Sequence, residues 1–147
     1  MQTTIDAIYS PDTSSFCPLP MFAEVVAAGF PSPATDYVEQ SLDLNQHLIK
    51  NPASTFIVRA SGTSMTAVGI FPKDLLIVDR SLKAIHGDVV IATVDGEFLV
   101  KTYSNVPGKP PELLTENPTH RPVVIGRESE VVIWGVVTDS IRRLRKR

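Results

Sequence analysis

Six short runs rich in valine, isoleucine and threonine occupy the chain from residue 55 onward, and they constrain its fold more than any other feature. Turn residues separate most of these runs, and no long helical pattern lies between them. The pattern predicts a mainly β domain, built as a curved sheet or a partly closed barrel. A chain of 147 residues is long enough for one such domain. The predicted strands are Thr55–Ala60, Asp74–Asp79, Asp88–Val94, Glu97–Tyr103, Val123–Ile125 and Val131–Thr138.

Two shorter signals add local detail to this architecture. Asp95-Gly96 lies between two predicted strands and is a strong signal for a two-residue hairpin turn. Residues 43–50 predict a short helix with Asp43 as its N-cap and Gln46 three residues later. Asn51-Pro52 is expected to end this helix.

The N-terminal quarter of the chain is interrupted by prolines. Five of the 12 prolines fall within the first 33 residues, and each removes a backbone donor and fixes φ. The sequence therefore predicts a mobile N-terminal arm over residues 1–35, without a long helix or a central strand. A β-rich domain is predicted over residues 36–147. Within the arm, the apolar patch Met21–Ala28 is suited to docking on another surface.

Charge is distributed unevenly along the chain. The segment Arg142–Arg147 carries five of the 14 basic residues, so residues 1–141 hold nine basic and all 16 acidic residues, a balance of −7. General nucleic-acid binding requires clustered lysine and arginine, which an acidic body does not provide. We interpret the tail as a frayed, solvated terminus, and contact with a phosphate backbone or an acidic partner stays open as an alternative.

Several classes of protein are not supported by the sequence. Its longest apolar stretches reach only about seven residues, whereas a membrane span needs roughly 18 or more. The first residues lack a basic segment followed by an apolar core, so no secretory signal is expected. Cys17 is the only cysteine, which excludes an intrachain disulfide and indicates a reducing, cytoplasmic compartment. No metal-ligand spacing or phosphate-cradling glycine motif is found, so neither a metal nor a cofactor is expected.

The segment Ser61–Met65, with the sequence Ser-Gly-Thr-Ser-Met, follows directly on the first predicted strand. A serine placed after a strand and a glycine-containing turn can project its Oγ into a cleft. Backbone N–H groups of the turn can then face a developing oxyanion. On this signal alone, an ordinary turn is the simpler interpretation.

Lys101 lies inside a predicted strand, on the same face as Leu99 and Tyr103. Because the neighbouring strand is apolar throughout, the lysine either extends its ammonium group to solvent or buries its amine. The residues alone favour the outward orientation. Burial would instead lower the lysine pKa, and the neutral amine would then be available as a general base.

Other catalytic schemes have less support. A Ser-His-Asp triad would require His47, His86 or His120, and these three histidines are scattered. His86 lies in a predicted turn and is interpreted as structural or exposed. Asp95 and Glu97 flank the predicted hairpin turn, and they are interpreted as solvated turn residues rather than as an acid/base pair.

The serine segment is followed, 37 residues after Ser64, by Lys101 at the end of the run Asp95–Lys101. This combination resembles the LexA/UmuD family of serine–lysine self-cleaving proteins (peptidase S24), and more closely its UmuD branch with plasmid-borne members. The resemblance covers residues 18–140, and its motifs are specific taken together. The other matching segments are Gly29–Gln40, Leu42–Asn45, Leu75–Asp79, His86–Ala92 and Trp134–Thr138.

The resemblance implies roles for individual residues. Ser64 is the expected nucleophile and Lys101 its general base, and the backbone amides of Ser64 and Met65 are the expected oxyanion hole. The scissile bond is expected between Ala28 and Gly29. A small Ala-Gly pair suits a backbone that enters a tight cleft, and a substrate in the same chain is present at high effective concentration.

The resemblance also implies a role in the SOS response to DNA damage, with cleavage stimulated by a RecA filament on single-stranded DNA. LexA-type repressors carry a helix-turn-helix domain before the cleavage site, whereas the 28 residues before Gly29 are few and interrupted by prolines. The expected product, residues 29–147, would form a homodimer and serve as accessory subunit of a Y-family translesion DNA polymerase in error-prone repair. Neither membrane association nor direct sequence-specific DNA binding is expected.

Two positions depart from the family pattern. Lys73 stands where relatives usually have glycine, and Ala28 stands where the best-known member has cysteine. Two other functions stay open beside self-cleavage. One is a non-catalytic, dimeric polymerase-binding module of the same fold. The other is a peptidase that acts on other proteins, as the related signal peptidases do, although the missing membrane segment argues against it.

Overall fold

The computed structural model describes residues 2–13, 18–22, 38–116, 122–125 and 130–145. The chain divides into two compact units, residues 1–11 with 53–147 and residues 12–52. Its described part contains eight strands in the larger unit, and two strands and a short α-helix in the smaller one, so the predicted mainly β fold is confirmed. The elements are β1 (Thr4–Tyr9), β2 (Pro18–Phe22), β3 (Val38–Asp43), α1 (Leu44–Leu48), β4 (Thr55–Ser61), β5 (Leu75–Asp79), β6 (Val89–Val94), β7 (Glu97–Ser104), β8 (Glu112–Leu114), β9 (Val123–Val124) and β10 (Val131–Ile141).

The strands of the larger unit form one antiparallel sheet with the order β1-β4-β5-β10-β6-β7-β8-β9. β1 also pairs with β7, where Thr4 lies opposite Leu99. Six strands, β1, β4, β5, β10, β6 and β7, therefore close into a barrel, and β8 and β9 extend the sheet beyond β7. The closing contacts are made by the N-terminal strand.

One core cluster joins the barrel strands to the turn that follows β4. Val58 of β4, Val78 of β5, Ile91 of β6 and Val100 of β7 are fully buried in it. Met65, from the turn after β4, is buried in the same cluster. Burial of an aliphatic side chain of this size contributes about 1.5–3 kcal/mol, so the core fixes the position of the turn that carries Met65.

Both local predictions are confirmed. Asp95 and Gly96 connect β6 to β7 with φ angles of 50° and 84°, as a two-residue type I′ hairpin requires. α1 begins after Asp43, whose side chain accepts a hydrogen bond from the Gln46 amide at 3.4 Å. The helix is shorter than predicted. No helix in the part of the chain that the structure describes is long and apolar enough to cross a membrane.

Four of the described strands, β1, β2, β3 and β8, were not predicted from the sequence. β2 contains Pro18 and Pro20, and it pairs with β3 in a separate two-stranded sheet. Backbone N–H groups two residues apart point to the same edge of a strand, so prolines spaced by two leave the donors of the other edge available. Proline spacing, rather than proline content, decides whether a strand can form here.

β1 is the unpredicted strand that changes the architecture. Residues 3–9 precede the first proline, Pro11, and their threonine, isoleucine and tyrosine content favours a strand. The expectation that no central strand lies in the first 35 residues is therefore wrong for this segment, because β1 pairs on both sides. The predicted boundary near residue 35 lies outside the described residues.

The C-terminal tail is anchored at its first residue. Arg142 donates from Nε to Asp74 Oδ1 at 3.0 Å and from Nη2 to Asp74 Oδ2 at 3.1 Å. Its guanidinium carbon lies 3.8 Å from the centroid of the Phe71 ring. A bidentate ion pair and a stacked ring hold a guanidinium in one orientation. The prediction of a frayed terminus is wrong at Arg142, and residues 146–147 lie outside the described part.

Candidate active site

Ser64 is placed by a tight turn at the end of β4. Gly62 adopts a left-handed conformation with φ of 87°, which glycine accepts without the strain of a side chain. A short 3-10 helix follows at Thr66–Val68. The Met65 side chain, just before this helix, is buried in the core cluster and holds the turn in place. Ser64 is completely buried, although a serine hydroxyl costs free energy to bury unless it is hydrogen-bonded.

Lys101 reaches the same region from β7, where it lies opposite Val90 of β6. Its side chain is only 1 % exposed, so the outward orientation favoured from the sequence is wrong and the buried alternative is correct. Desolvation lowers the pKa of Lys101 from its usual value near 10.5, and the negative charge of Glu97 opposes this by raising it. Burial therefore favours the neutral amine.

The dipeptide Gln2-Thr3 joins the two buried side chains. Lys101 Nζ donates to Gln2 Oε1 at 2.6 Å. The Thr3 amide donates to Ser64 Oγ at 2.7 Å, and Ser64 Oγ donates to Thr3 Oγ1 at 3.0 Å. Since Gln2 and Thr3 are consecutive, Ser64 in the turn after β4 and Lys101 in β7 contact one peptide segment.

A further donor converges on the same threonine. The Met65 amide donates to Thr3 Oγ1 at 3.2 Å, so this oxygen accepts from both Ser64 Oγ and the Met65 amide. Of the two amides predicted for the oxyanion hole, that of Met65 donates to an oxygen of the N-terminal segment.

Gly62 allows the N-terminal segment to approach the turn closely. A Cβ atom built on Gly62 would overlap the Gln2 carbonyl group and lie 3.1 Å from Thr3 Cα. On the other side, the Val100 amide donates to the Thr3 carbonyl oxygen at 2.9 Å. Gln2 and Thr3 could not be identified as site residues from the sequence, because nothing local relates them to residues 99 and 61 positions away.

The other candidate residues lie elsewhere or have other partners. His86 is exposed, and its Nδ1 accepts a hydrogen bond from the Asn105 amide at 3.0 Å. The Asp95 carboxylate accepts from the Glu130 amide at 2.8 Å, which gives it a structural role in the turn. His120 and the predicted scissile bond Ala28–Gly29 lie outside the described residues.

Fold and site together define a β-barrel protein in which a buried serine and a buried lysine face the same extended peptide. The sequence model described as Peptidase S24-like matches residues 20–138. The chain belongs to this family, as its resemblance to the LexA/UmuD proteins predicted.

Individual relatives agree with this assignment. The chain is 49 % identical to protein ImpA of Salmonella typhimurium over 127 residues, which cover 86 % of each chain. It is 38 % identical to protein MucA of Escherichia coli over 138 residues, which cover 93 % of each chain. It is also 35 % identical to the LexA repressor of Photorhabdus laumondii over 125 residues, which cover 84 % of this chain and 61 % of the repressor.

Proposed function

We propose that this protein is a self-cleaving serine–lysine peptidase of the SOS response, and that it cuts its own Ala28–Gly29 bond. The observation that carries the proposal is the pair of buried side chains, Ser64 and Lys101, that contact one peptide segment from neighbouring parts of the barrel. Membership of a peptidase family supports it. The division into an arm of residues 1–35 with the scissile bond and a catalytic domain of residues 36–147 belongs to the same proposal.

The buried amine of Lys101 begins the reaction. In its neutral form it accepts the proton of Ser64 Oγ, and the oxygen attacks the carbonyl carbon of Ala28. The tetrahedral oxyanion accepts hydrogen bonds from the backbone amides of Ser64 and Met65. The C–N bond then breaks, the lysine ammonium group returns the proton to the nitrogen of Gly29, and an ester between Ser64 and Ala28 is left. Water activated by Lys101 hydrolyses this ester.

The biological setting belongs to the same proposal. We infer that a RecA filament on single-stranded DNA stimulates cleavage after DNA damage. The product, residues 29–147, forms a homodimer and serves as accessory subunit of a Y-family translesion DNA polymerase in error-prone repair. The sequence relationship to MucA, ImpA and a LexA repressor supports this setting.

The proposal predicts that alkaline pH alone starts self-cleavage. An unperturbed lysine titrates near 10.4, so incubation at about pH 10 increases the neutral fraction of Lys101 without RecA. Intact mass spectrometry is expected to reveal residues 29–147. Ser64→Ala and Lys101→Ala should each lower the cleavage rate by about 10³-fold or more, because each removes a group that acts in the transition state. Thr138→Ala, on a distant strand, is the control.

Two outcomes contradict the proposal. Cleavage at Ala28–Gly29 that persists in purified Ser64→Ala protein would assign the reaction to another nucleophile. Full-length protein that stays intact both at alkaline pH and with a RecA filament on single-stranded DNA would favour the non-catalytic, polymerase-binding module. Circular dichroism of each variant verifies that its fold is preserved.

A further inference from the structure

We propose that residues 2–9 are an intramolecular inhibitor of the dyad, and that any substrate segment must displace them before it reaches Ser64. We use the term dyad groove for the space bounded by Gly62, Ser64, Met65 and Lys101. This inference deepens the proposed function, on which its consequence for cleavage rests. The occupancy of the groove is tested separately below.

Three polar groups that the proposed reaction uses are occupied by the N-terminal segment. Gln2 Oε1 accepts the hydrogen bond of Lys101 Nζ at 2.6 Å. Thr3 Oγ1 accepts from Ser64 Oγ at 3.0 Å and from the Met65 amide at 3.2 Å. The base, the nucleophile and an oxyanion donor are therefore all bound by two consecutive residues.

The backbone of the segment is also bound by the barrel. β1 pairs with β4 from Thr4 opposite Ser61 to Tyr9 opposite Ile57. On its other side, the Thr3 carbonyl oxygen accepts from the Val100 amide at 2.9 Å. Main-chain hydrogen bonds of this kind give affinity when an extended peptide adds to a sheet.

The segment is placed as an inhibitor and not as a substrate. The Thr3 amide donates to Ser64 Oγ at 2.7 Å, so a lone pair of the nucleophile is engaged by a donor. The same hydroxyl donates to Thr3 Oγ1 at 3.0 Å. In this arrangement Lys101 is held by Gln2, and proton transfer from Ser64 to Lys101 has no direct hydrogen bond to follow.

Simultaneous binding of a second peptide is sterically excluded. Thr3 and Ser64 are completely buried, and Lys101 is 1 % exposed. A scissile carbonyl group must contact Ser64 Oγ to react, and the position beside that oxygen is filled by Thr3. The rate of self-cleavage therefore depends on how often residues 2–9 leave the dyad groove.

The first test compares self-cleavage rates of full-length chains at about pH 10. The double variant Gln2→Ala/Thr3→Ala removes the side chains that bind Lys101, Ser64 and Met65. Loss of these hydrogen bonds should favour departure of the segment and accelerate cleavage by about tenfold. Asp6→Ala is the matched control, because Asp6 is exposed on the same strand and should leave the rate unchanged.

The second test measures occupancy without cleavage. Acetic anhydride acetylates accessible lysines, and peptide mass spectrometry quantifies each site. Lys83 is exposed and serves as internal reference. In the unmodified chain and in Asp6→Ala, Lys101 should remain protected relative to Lys83. In the double variant its acetylation should rise about tenfold.

The outcomes separate the two proposals. Equal protection of Lys101 from acetylation in all three chains would overturn the proposal that residues 2–9 inhibit the dyad, whatever the cleavage result. Release of Met1-Gln2 from the unmodified chain would also overturn it, because the segment would then be a substrate. If acetylation of Lys101 rises in the double variant while none of the chains cleaves, occupancy of the dyad groove by residues 2–9 is supported and the proposal of self-cleavage is contradicted.

Discussion

The charge state of Lys101 is set by two opposing influences. Burial lowers its pKa and the carboxylate of Glu97 raises it, and the influence of burial is the larger. Because the pKa is lowered in the folded protein, the unfolded chain binds more protons between the folded pKa and 10.5. The contribution of Lys101 to the free energy of unfolding therefore increases as pH rises through this window. The fraction of Lys101 in the neutral form, which the proposed reaction requires, increases over the same range.

Replacement of Glu97 should shift the pH dependence of self-cleavage. Glu97→Gln removes the negative charge that stabilises the ammonium form, so the pKa of Lys101 falls further. The midpoint of the pH–rate profile should move to lower pH, with the rate at high pH unchanged. Glu130→Gln is the control, since Glu130 is exposed and does not perturb Lys101. A midpoint that moves to higher pH, or an equal movement in both variants, would contradict this assignment.

Individual residues were predicted from the sequence to different extents. Ser64 and Lys101 were selected by the resemblance to the LexA/UmuD family, since the turn motif and the strand pattern taken alone favoured other interpretations. The burial of Lys101 was missed, because Gln2 covers it from 99 positions away. Lys73 shows the opposite case: it has φ of 74°, a conformation in which glycine is favoured. A glycine at this position would adopt the same backbone conformation with less strain.

A bulge in β10 changes the direction of a side chain. β10 pairs with β6, and its register shifts between Ile133 and Gly135. Such a bulge rotates the intervening residue, Trp134, whose carbonyl oxygen accepts from Arg80 Nε at 2.8 Å. The Trp134 ring contacts Phe98 edge-on, with centroids 5.7 Å apart. The bulge thus fixes an aromatic cluster on β10.

Gly135 follows this bulge at a position that leaves no space for a side chain. A Cβ atom at this position would lie 2.6 Å from Val78 Cγ1 and 3.3 Å from Arg80 Cγ. Gly135→Ala should lower the free energy of unfolding by about 1–3 kcal/mol, because the core must shift to accept the methyl group. Urea denaturation measures this change. Val132→Ala, an exposed position of the same strand, should cost less than about 1 kcal/mol. Equal losses in the two variants would refute the steric argument.

The residue at which a strand ends depends more on pairing with the neighbouring strand than on the local sequence. β10 continues to Ile141, beyond the predicted end at Thr138, because Asp139–Ile141 pair with Leu75–Ile77 of β5. Polar Asp139 and Ser140 carry no strand signal of their own. The sequence therefore predicts the apolar centres of the strands, whereas their ends are set by tertiary pairing.

At the scale of the molecule, β1 is both the strand that closes the barrel and the segment that occupies the dyad groove. Its edges pair with β4 and β7, so its departure leaves two strand edges without a partner. While β1 is joined to the chain, its effective concentration is of the order of millimolar. The proposed cut between Ala28 and Gly29 would abolish this advantage. Closure of the barrel by β1 and inhibition of the dyad by the same segment would then be lost together.

Cleavage should therefore release the inhibitor when the protein is dilute. After self-cleavage, native mass spectrometry at about 1 μM should detect residues 29–147 without residues 1–28, because pairing of β1 with the barrel and of β2 with β3 then joins two separate chains and is weakened by dilution. Lys101 should then be acetylated faster than in the uncut chain. A synthetic peptide of residues 1–11 at about 1 mM should restore its protection. The same peptide with alanine at positions 2 and 3 should not, because it lacks the groups that bind Lys101, Ser64 and Met65. If Lys101 stays protected after residues 1–28 have left, its burial is a property of the barrel alone and β1 does not control access to the dyad.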